Sequence, residues 1–141
     1  MSTILGIDPG KHTGVAIFIN GALTELRTTD PQCVAALLDE IQPERVVFED
    51  SRLTRATWGR GVSPAAMRKI ARNVGLIDAW CTQLVELCAP RGIVAHGISP
   101  KGKGAKVSAV QFAKLTGWTG RSNQHERDSA MVAWPHRGAR S

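Results

Sequence analysis

Acidic residues end two short apolar segments of this chain. Asp8 follows the run 4–7 and precedes a Pro-Gly turn, and Glu49 and Asp50 follow the run 45–48. Short apolar runs bounded by turn residues predict buried strands, so these carboxylates stand at strand ends. A carboxylate at the end of a buried strand is costly to place there without a function. The alternative for Asp8 is a turn aspartate that only accepts hydrogen bonds from backbone amides.

A second polar group stands at the start of the last predicted helix. His125 and Asp128 are three residues apart, so they share one helix face, where a metal ion can contact both. The alternative is that they are surface residues, because acidic side chains are favoured near helix N-termini. Asn123 and Glu126 have the spacing of a capping box, which gives Glu126 a structural role.

The predicted elements bring these groups together. Three consecutive strands form an antiparallel meander, and a crossover helix then returns the chain to a strand parallel to the first, with its acidic end beside Asp8. We expect an α/β fold: a mixed five-stranded sheet, antiparallel over its first three strands and then parallel, flanked by helices. The predicted strands are 3–8, 13–20, 22–28, 45–50 and 92–98, and the predicted helices are 31–41, 64–89, 106–115 and 124–134.

Length and charge narrow the function. A chain of 141 residues, 43% hydrophobic, supports one well-packed domain, predicted at 1–134 with a disordered basic tail at 135–141. Residues 1–50 hold 3 basic and 8 acidic side chains, whereas residues 51–141 hold 15 basic and 4 acidic ones. This asymmetry is typical of a protein that binds a polyanion such as nucleic acid, although general solubility also accounts for a basic surface.

Apolar segments and cysteines point to a cytoplasmic protein. No run approaches the roughly 20 apolar residues of a membrane span, and the N-terminus lacks the layout of a signal peptide. Cys33, Cys81 and Cys88 show no metal-binding spacing, and their odd number favours reduced thiols. Cys81 and Cys88 lie on one predicted helix, where we expect them to pack in the core.

Three ordered motifs resemble the RuvC-like Holliday-junction resolvases, which are nucleases of the ribonuclease-H-like fold. The motifs are Gly6-Ile7-Asp8-Pro9-Gly10, the strand ending in Phe48-Glu49, and the helix start at residues 125–130. The order of elements along nearly the whole chain agrees as well. Residues 114–133 look especially like the small resolvases carried by bacteriophages, which would place the protein in the bacterial host cell.

The resemblance implies a metal-dependent endonuclease that cleaves phosphodiesters of branched DNA with two Mg²⁺ ions. Asp8 would bridge the two ions, and Glu49 and Asp128 would each hold one side. His125 stands where many relatives have a carboxylate, and an imidazole suits Mn²⁺ better than Mg²⁺. Strand alternation puts Glu49 and Asp50 on opposite faces, and the resemblance selects Glu49 as the ligand.

Basic and aromatic residues around this group are candidate DNA contacts. Lys106, predicted to open a helix, resembles a family lysine near the scissile phosphate; the alternative is a solvated lysine. Glycines beside Lys101 and Lys103 allow close approach to a phosphate backbone. Better-known relatives insert an aromatic wedge into the junction at the place where this chain has Arg52. Trp58 could fill that role by stacking on a base; the alternative is that Trp58 covers the core. The predicted DNA-binding set is Arg52, Arg55, Trp58, Arg60, Lys101, Lys103, Lys106 and Arg121.

Other classes and the assembly state follow from the same features. An actin-like ATPase needs two such domains, for which the chain is too short. A catalytically silent nucleic-acid-binding module, and a related nuclease acting on RNA or on other DNA structures, both stay open.

A four-way junction has near two-fold symmetry, so paired cuts predict a homodimer. The helix at 64–89, with Trp80, has more apolar positions than one core face needs and is the predicted interface.

Overall fold

Five strands and four α-helices form in the residues that the structure, a computed structural model, describes: 2–53, 62–101 and 105–138. The strands are β1 (Thr3–Asp8), β2 (Thr13–Ile19), β3 (Ala22–Thr29), β4 (Arg45–Glu49) and β5 (Val94–Ile98). The helices are α1 (Val34–Ile41), α2 (Pro64–Cys88), α3 (Ala109–Thr116) and α4 (Gln124–Ala133). Each predicted element is present, with most boundaries shifted by one to three residues.

The strands form one mixed sheet in the order β3-β2-β1-β4-β5. β1 pairs antiparallel with β2, and β2 with β3, whereas β4 pairs parallel with β1 and β5 parallel with β4. The helices α1 and α2 make the crossovers that parallel pairing requires. The predicted fold class is therefore confirmed.

The two faces of the sheet have separate cores. Val46 and Phe48 of β4 point to the face that α1 and α2 cover, together with Cys81, Leu84 and Cys88 of α2. Val47 points to the opposite face, where α3 and α4 contribute Phe112, Ala130 and Ala133. Cys81 and Cys88 are buried as predicted, and burial raises the pKa of the Cys88 thiol to about 11.

Helix α4 lies directly on the backbone of β1 and β2. A Cβ atom added to Gly14 would lie 2.0 Å from the carbonyl oxygen of His125, and one added to Gly6 would lie 2.1 Å from that of Ser129. No side chain fits between backbone atoms at this spacing. Glycine at both positions therefore sets the distance between α4 and the sheet.

The N-terminal half of α2 is largely exposed. Residues 64–76 are exposed except for the half-buried Met67 and Val74, and Ile70 and Leu76 are 42% and 53% exposed. Trp80 belongs to the packed half, where it is half-buried beside Ile7. The long helix thus packs in one half and presents apolar side chains to solvent in the other.

Two boundaries differ from the sequence prediction in ways that affect the site. Helix α3 begins at Ala109 and not at residue 106, because Ser108 caps it and forms a capping box with Gln111. Lys106 therefore precedes the helix.

Residues 134–136 form a 3-10 helix, and Arg137 stacks on Trp134 at 3.8 Å and donates to the Gly21 carbonyl.

Of the tail that the sequence predicts at 135–141, residues 139–141 lie outside the described residues, and the prediction that the tail is disordered stays a prediction. Of the helices in the described ranges, none is long and apolar enough to cross a membrane.

Candidate active site

The ends of β1 and β4 bring two of the predicted ligands to one edge of the sheet. Ile7 pairs with Phe48 in the parallel ladder, so Asp8 and Glu49 occupy the next positions along the two strands. Both stand on the face that α4 covers, because Ile7 and Phe48 point to the other core. Asp8 and Glu49 are therefore neighbours at the carboxyl ends of the central strands.

The start of α4 is fixed over this edge. Asn123 and Glu126 form the predicted capping box, which is confirmed. Asn123 also donates to the Thr28 hydroxyl at 2.7 Å, and that hydroxyl donates to Glu126 at 3.1 Å. These bonds anchor the start of α4 to the edge strand β3. The close contact between Gly14 and the His125 carbonyl sets the distance between the helix and the sheet. His125 and Asp128 project from this anchored turn.

His125 lies against Asp8. Its Nδ1 is 3.6 Å from an Asp8 carboxylate oxygen, and its ring centroid is 5.7 Å from that of His12. The His125 side chain is 47% exposed and that of Asp8 24% exposed. The strand end and the helix start thus form one polar site open to solvent.

Asp128 lies on the other side of the site beside a lysine. Lys106 Nζ is 3.4 Å from Asp128 Oδ2, and Gln124 donates to Oδ1 at 2.8 Å. Glu49, Lys106 and Asp128 line one open cavity of about 480 Å³, which Lys101 also borders. Its remaining walls include the apolar side chains Ile98, Val107, Met131 and Val132.

These donors suit a divalent cation by their chemistry. Asp8, Glu49 and Asp128 offer carboxylate oxygens and His125 an imidazole nitrogen, and a cationic ammonium already pairs with Asp128. Within the described ranges, however, no three His, Cys, Asp or Glu side chains form a cluster that could hold a metal ion. The chemical types of these donors thus fit a divalent ion. A site with three ligands requires the side chains to turn toward one another.

Asp50 points away from this site, as strand alternation predicts. Its carboxylate is buried and accepts hydrogen bonds from Arg52 Nε at 2.9 Å and Nη2 at 2.8 Å. These bonds hold the pKa of the Asp50 carboxyl below its usual value, although burial opposes the shift. Arg52, predicted as a DNA contact, has its guanidinium engaged by Asp50.

The other predicted DNA-binding residues divide into two groups. Lys101, Lys106 and Arg121 are exposed, and the first two border the cavity. Arg121 lies in the segment between α3 and α4, where its carbonyl accepts a hydrogen bond from the Trp118 indole. Arg55, Trp58, Arg60 and Lys103 lie outside the described residues.

Two residues of α4 that sequence reasoning missed support the site. Arg127 donates to the carbonyls of Val107 and Ser122 at 2.9 and 2.7 Å, which connects α4 to the segment that carries Lys106. Its partners are carbonyls in irregular backbone, which leave no pattern in a sequence. Gln124, which bonds Asp128, had a visible signal, because the two residues are four apart on a helix.

Comparisons with known proteins agree with the fold. No protein-family model and no curated protein matches this sequence. Among solved structures, the chain is similar to Thermus thermophilus RuvC, with 16% identity and a TM-score of 0.62 over 95% of this chain and 92% of that one. It is also similar to T. thermophilus RuvC in complex with Holliday junction substrate, with 16% identity and a TM-score of 0.58 over 96% and 92% of the two chains. The chain therefore has the ribonuclease-H-like fold of RuvC.

Proposed function

We propose that this protein is a RuvC-like, metal-dependent endonuclease that cleaves branched DNA. The observation that carries the proposal is the meeting of Asp8, Glu49, His125 and Asp128 on one face of the sheet, from three separate parts of the chain. The fold shared with RuvC supports the substrate class. The likeness of residues 114–133 to bacteriophage resolvases supports the further proposal of a phage-type enzyme that acts in a bacterial cell.

The chemistry follows from the donors. Asp8, Glu49 and Asp128, with His125, would hold Mg²⁺ or Mn²⁺, and two such ions supply Lewis-acid stabilisation of a phosphodiester and a water of lowered pKa. Asp8 is the proposed shared ligand, as the resemblance to RuvC-like resolvases implies. His125 departs from an all-carboxylate set and supports a preference for Mn²⁺.

Lys106 has the reach to contact the scissile strand. Its side chain is 66% exposed, and its ammonium group lies 3.4 Å from Asp128 at the cavity edge. A compact ammonium charge there neutralises Asp128 in the free protein and can bind a phosphate when DNA enters the cavity. We assign Lys101, Arg121 and the basic residues Arg55, Arg60 and Lys103 to phosphate contacts, and Trp58 to stacking at the branch.

The exposed half of α2 supports the proposal of a homodimer. Ile70 and Leu76 present apolar surface to solvent. A second copy could cover this surface and place a second site on the other half of a junction with near two-fold symmetry. The dimer predicts paired cuts within one binding event.

Cleavage assays test the function directly. End-labelled four-way junction, flap, plain duplex and RNA–DNA hybrid are incubated with Mg²⁺ or Mn²⁺, in parallel with the Asp8→Asn variant as a control. Preferential, metal-dependent cutting of the junction by the wild type, with less than about a tenth of that rate in the variant, supports the proposal. Binding without cutting would indicate a silent binding module, and preferential cutting of the hybrid would indicate a nuclease for RNA.

A further inference from the structure

Asp50, Arg52 and their partners on α2 form a polar connection behind Glu49, in which the Asp50 side chain is buried and that of Arg52 is 35% exposed. We propose that the Asp50–Arg52 pair is a positioning device that fixes Glu49 in the site, and that Arg52 is not a DNA contact. This inference rests on the proposed function, because it assigns a role to Glu49. It reassigns a residue whose type and place in the sequence favoured nucleic-acid binding.

Asp50 is held on several sides. Its backbone N–H donates to the Ile98 carbonyl at 2.9 Å, which extends the β4–β5 ladder past Glu49. Its side chain, 5% exposed, accepts from the Arg52 backbone N–H at 3.1 Å and from two guanidinium nitrogens. It also lies across Gly97: a Cβ atom there would stand 2.8 Å from Asp50 Oδ2 and 2.9 Å from its Cβ.

The same turn is connected to α2. Arg52 Nη1 donates to the Thr82 hydroxyl at 3.3 Å, and Ser51 donates to Asp78 Oδ1 at 2.5 Å. The Cys81 thiol donates to the Glu49 carbonyl at 3.7 Å. Consecutive residues 49–52 are therefore all bonded either to β5 or to the middle of α2.

This arrangement fixes the backbone that carries Glu49. Glu49 is the last residue of β4, with Val47 and Phe48 buried before it and the bonded turn directly after it. A carboxylate at the end of a strand moves with its backbone, so its direction depends on the bonds that follow it. Partners of this kind behind a ligand are typically worth 10–100-fold in metal affinity or activity.

The contacts of Arg52 leave little for a phosphate. Nε and Nη2 are both directed at Asp50, and Nη1 at Thr82. The positive charge is matched by a carboxylate in bidentate geometry. A phosphate contact through Nε and Nη2 would have to break this pair and remove two hydrogen bonds from the buried Asp50 carboxylate, leaving the one from the Arg52 backbone N–H.

The test compares Asp50→Asn and Arg52→Gln with Arg91→Gln, a matched control. Arg91 forms the same kind of bidentate pair with Asp39, at 2.8 and 3.3 Å, away from the site. We expect the two test variants to lower the single-turnover cleavage rate by at least about 10-fold at saturating junction. Junction Kd and the slope of log Kd against log salt stay at wild-type values, and Arg91→Gln changes none of these quantities.

A change that removes no charge separates positioning from electrostatics. Gly97→Ala pushes a methyl group against Asp50. It is expected to reproduce the slower cleavage with unchanged junction affinity. If instead Arg52→Gln weakens junction binding and lowers the salt slope by about 0.9, as loss of one phosphate contact does, the positioning role is wrong while the nuclease function stands.

A metal titration keeps this inference distinct from the function. Mn²⁺ binding to the free protein is measured by electron paramagnetic resonance, with no DNA present. Weaker Mn²⁺ binding in Asp50→Asn and Arg52→Gln than in Arg91→Gln supports positioning even if the wild type cuts no junction. Equal Mn²⁺ affinity in all three variants, or no Mn²⁺ binding by the wild type, overturns it.

Discussion

The two longest helices cover opposite faces of the sheet and do so in different ways. Helix α4 contacts the sheet backbone at Gly6 and Gly14, with buried Ser129, Ala130 and Ala133 between. Helix α2 packs with one half only, and its other half carries exposed apolar side chains. The helix that brings His125 and Asp128 thus has its position fixed by backbone contact, whereas α2 keeps a free surface. The helix that carries the candidate site residues is thus the tightly packed one, and the helix with exposed apolar surface is the one proposed to form the dimer interface.

The largest effect is expected from a side chain placed under α4. Gly14→Val puts a branched group where even a Cβ atom would lie 2.0 Å from a carbonyl oxygen. Backbone cannot yield as a flexible side chain does, so the free energy of unfolding should fall by about 3 kcal/mol or more. Urea denaturation measures it. Gly75→Ala is the matched control on α2, where a Cβ atom meets nothing within 4 Å and stability should rise by about 0.5–1 kcal/mol. Equal destabilisation by both changes would contradict the comparison.

Removing the imidazole of α4 should affect activity and not stability. His125→Ala is expected to lower the cleavage rate at least about 10-fold with Mg²⁺ or Mn²⁺, since it removes one of the proposed ligands. His125→Asp should retain part of the activity and move the preference toward Mg²⁺, because a carboxylate is the harder ligand. The side chain is 47% exposed, so thermal unfolding should stay close to that of the wild type. A fully active His125→Ala variant would show that His125 is not a ligand.

Charges on the free half of α2 should affect assembly alone. Ile70→Glu combined with Leu76→Glu is expected to convert the junction-bound dimer to a monomer and to abolish paired cutting. Stability of the monomer should change by about 0.5 kcal/mol or less, because both side chains are exposed. Sedimentation with and without junction measures the assembly. Leu115→Glu on α3, at a site 55% exposed, is the control and should leave the dimer intact. A variant that still sediments as a dimer would place the interface elsewhere.

The smallest effect concerns the α4 face at acidic pH. Burial, then His136 and Arg45, lower the pKa of His96, and Arg45 lies 3.4 Å from His96 Nδ1. The folded protein therefore binds this proton less well than the unfolded chain. The free energy of unfolding is therefore unaffected by His96 above the ordinary histidine pKa of about 6.5. It falls as the pH drops from there through the lowered pKa, because protonation of His96 favours the unfolded chain. Unfolding midpoints between pH 7.5 and 5 should decline less for His96→Gln than for the wild type. Parallel declines would assign the acid sensitivity to other groups.

Regular elements and their registers were accessible from the sequence. Apolar runs gave β1 and β4, a crossover helix made them parallel, and alternation put Glu49 and Asp50 on opposite faces. Contacts in irregular segments are not accessible from the sequence, because they follow no period that a pattern could reveal. Arg52 looked like a DNA contact since nothing local shows that Asp50 binds it. The sequence pattern predicts a helix that begins at Lys106, whereas Ser108 caps the helix and makes Ala109 its first residue.

The four hydrogen bonds of Arg127 have a consequence for the order in which the protein acquires activity. Three of them join α4 to Val107 and Ser122, and the fourth stays within α4 at Gln124, so the segment that carries Lys106 has this partner only after α4 has formed. His125 and Asp128 also come from α4, which follows all five strands of the described residues. A nascent chain on the ribosome that has not yet emerged past α4 holds Asp8 and Glu49 without the groups that face them. Under the proposed function, the protein would therefore gain activity only after α4 has been synthesised and has packed on the sheet.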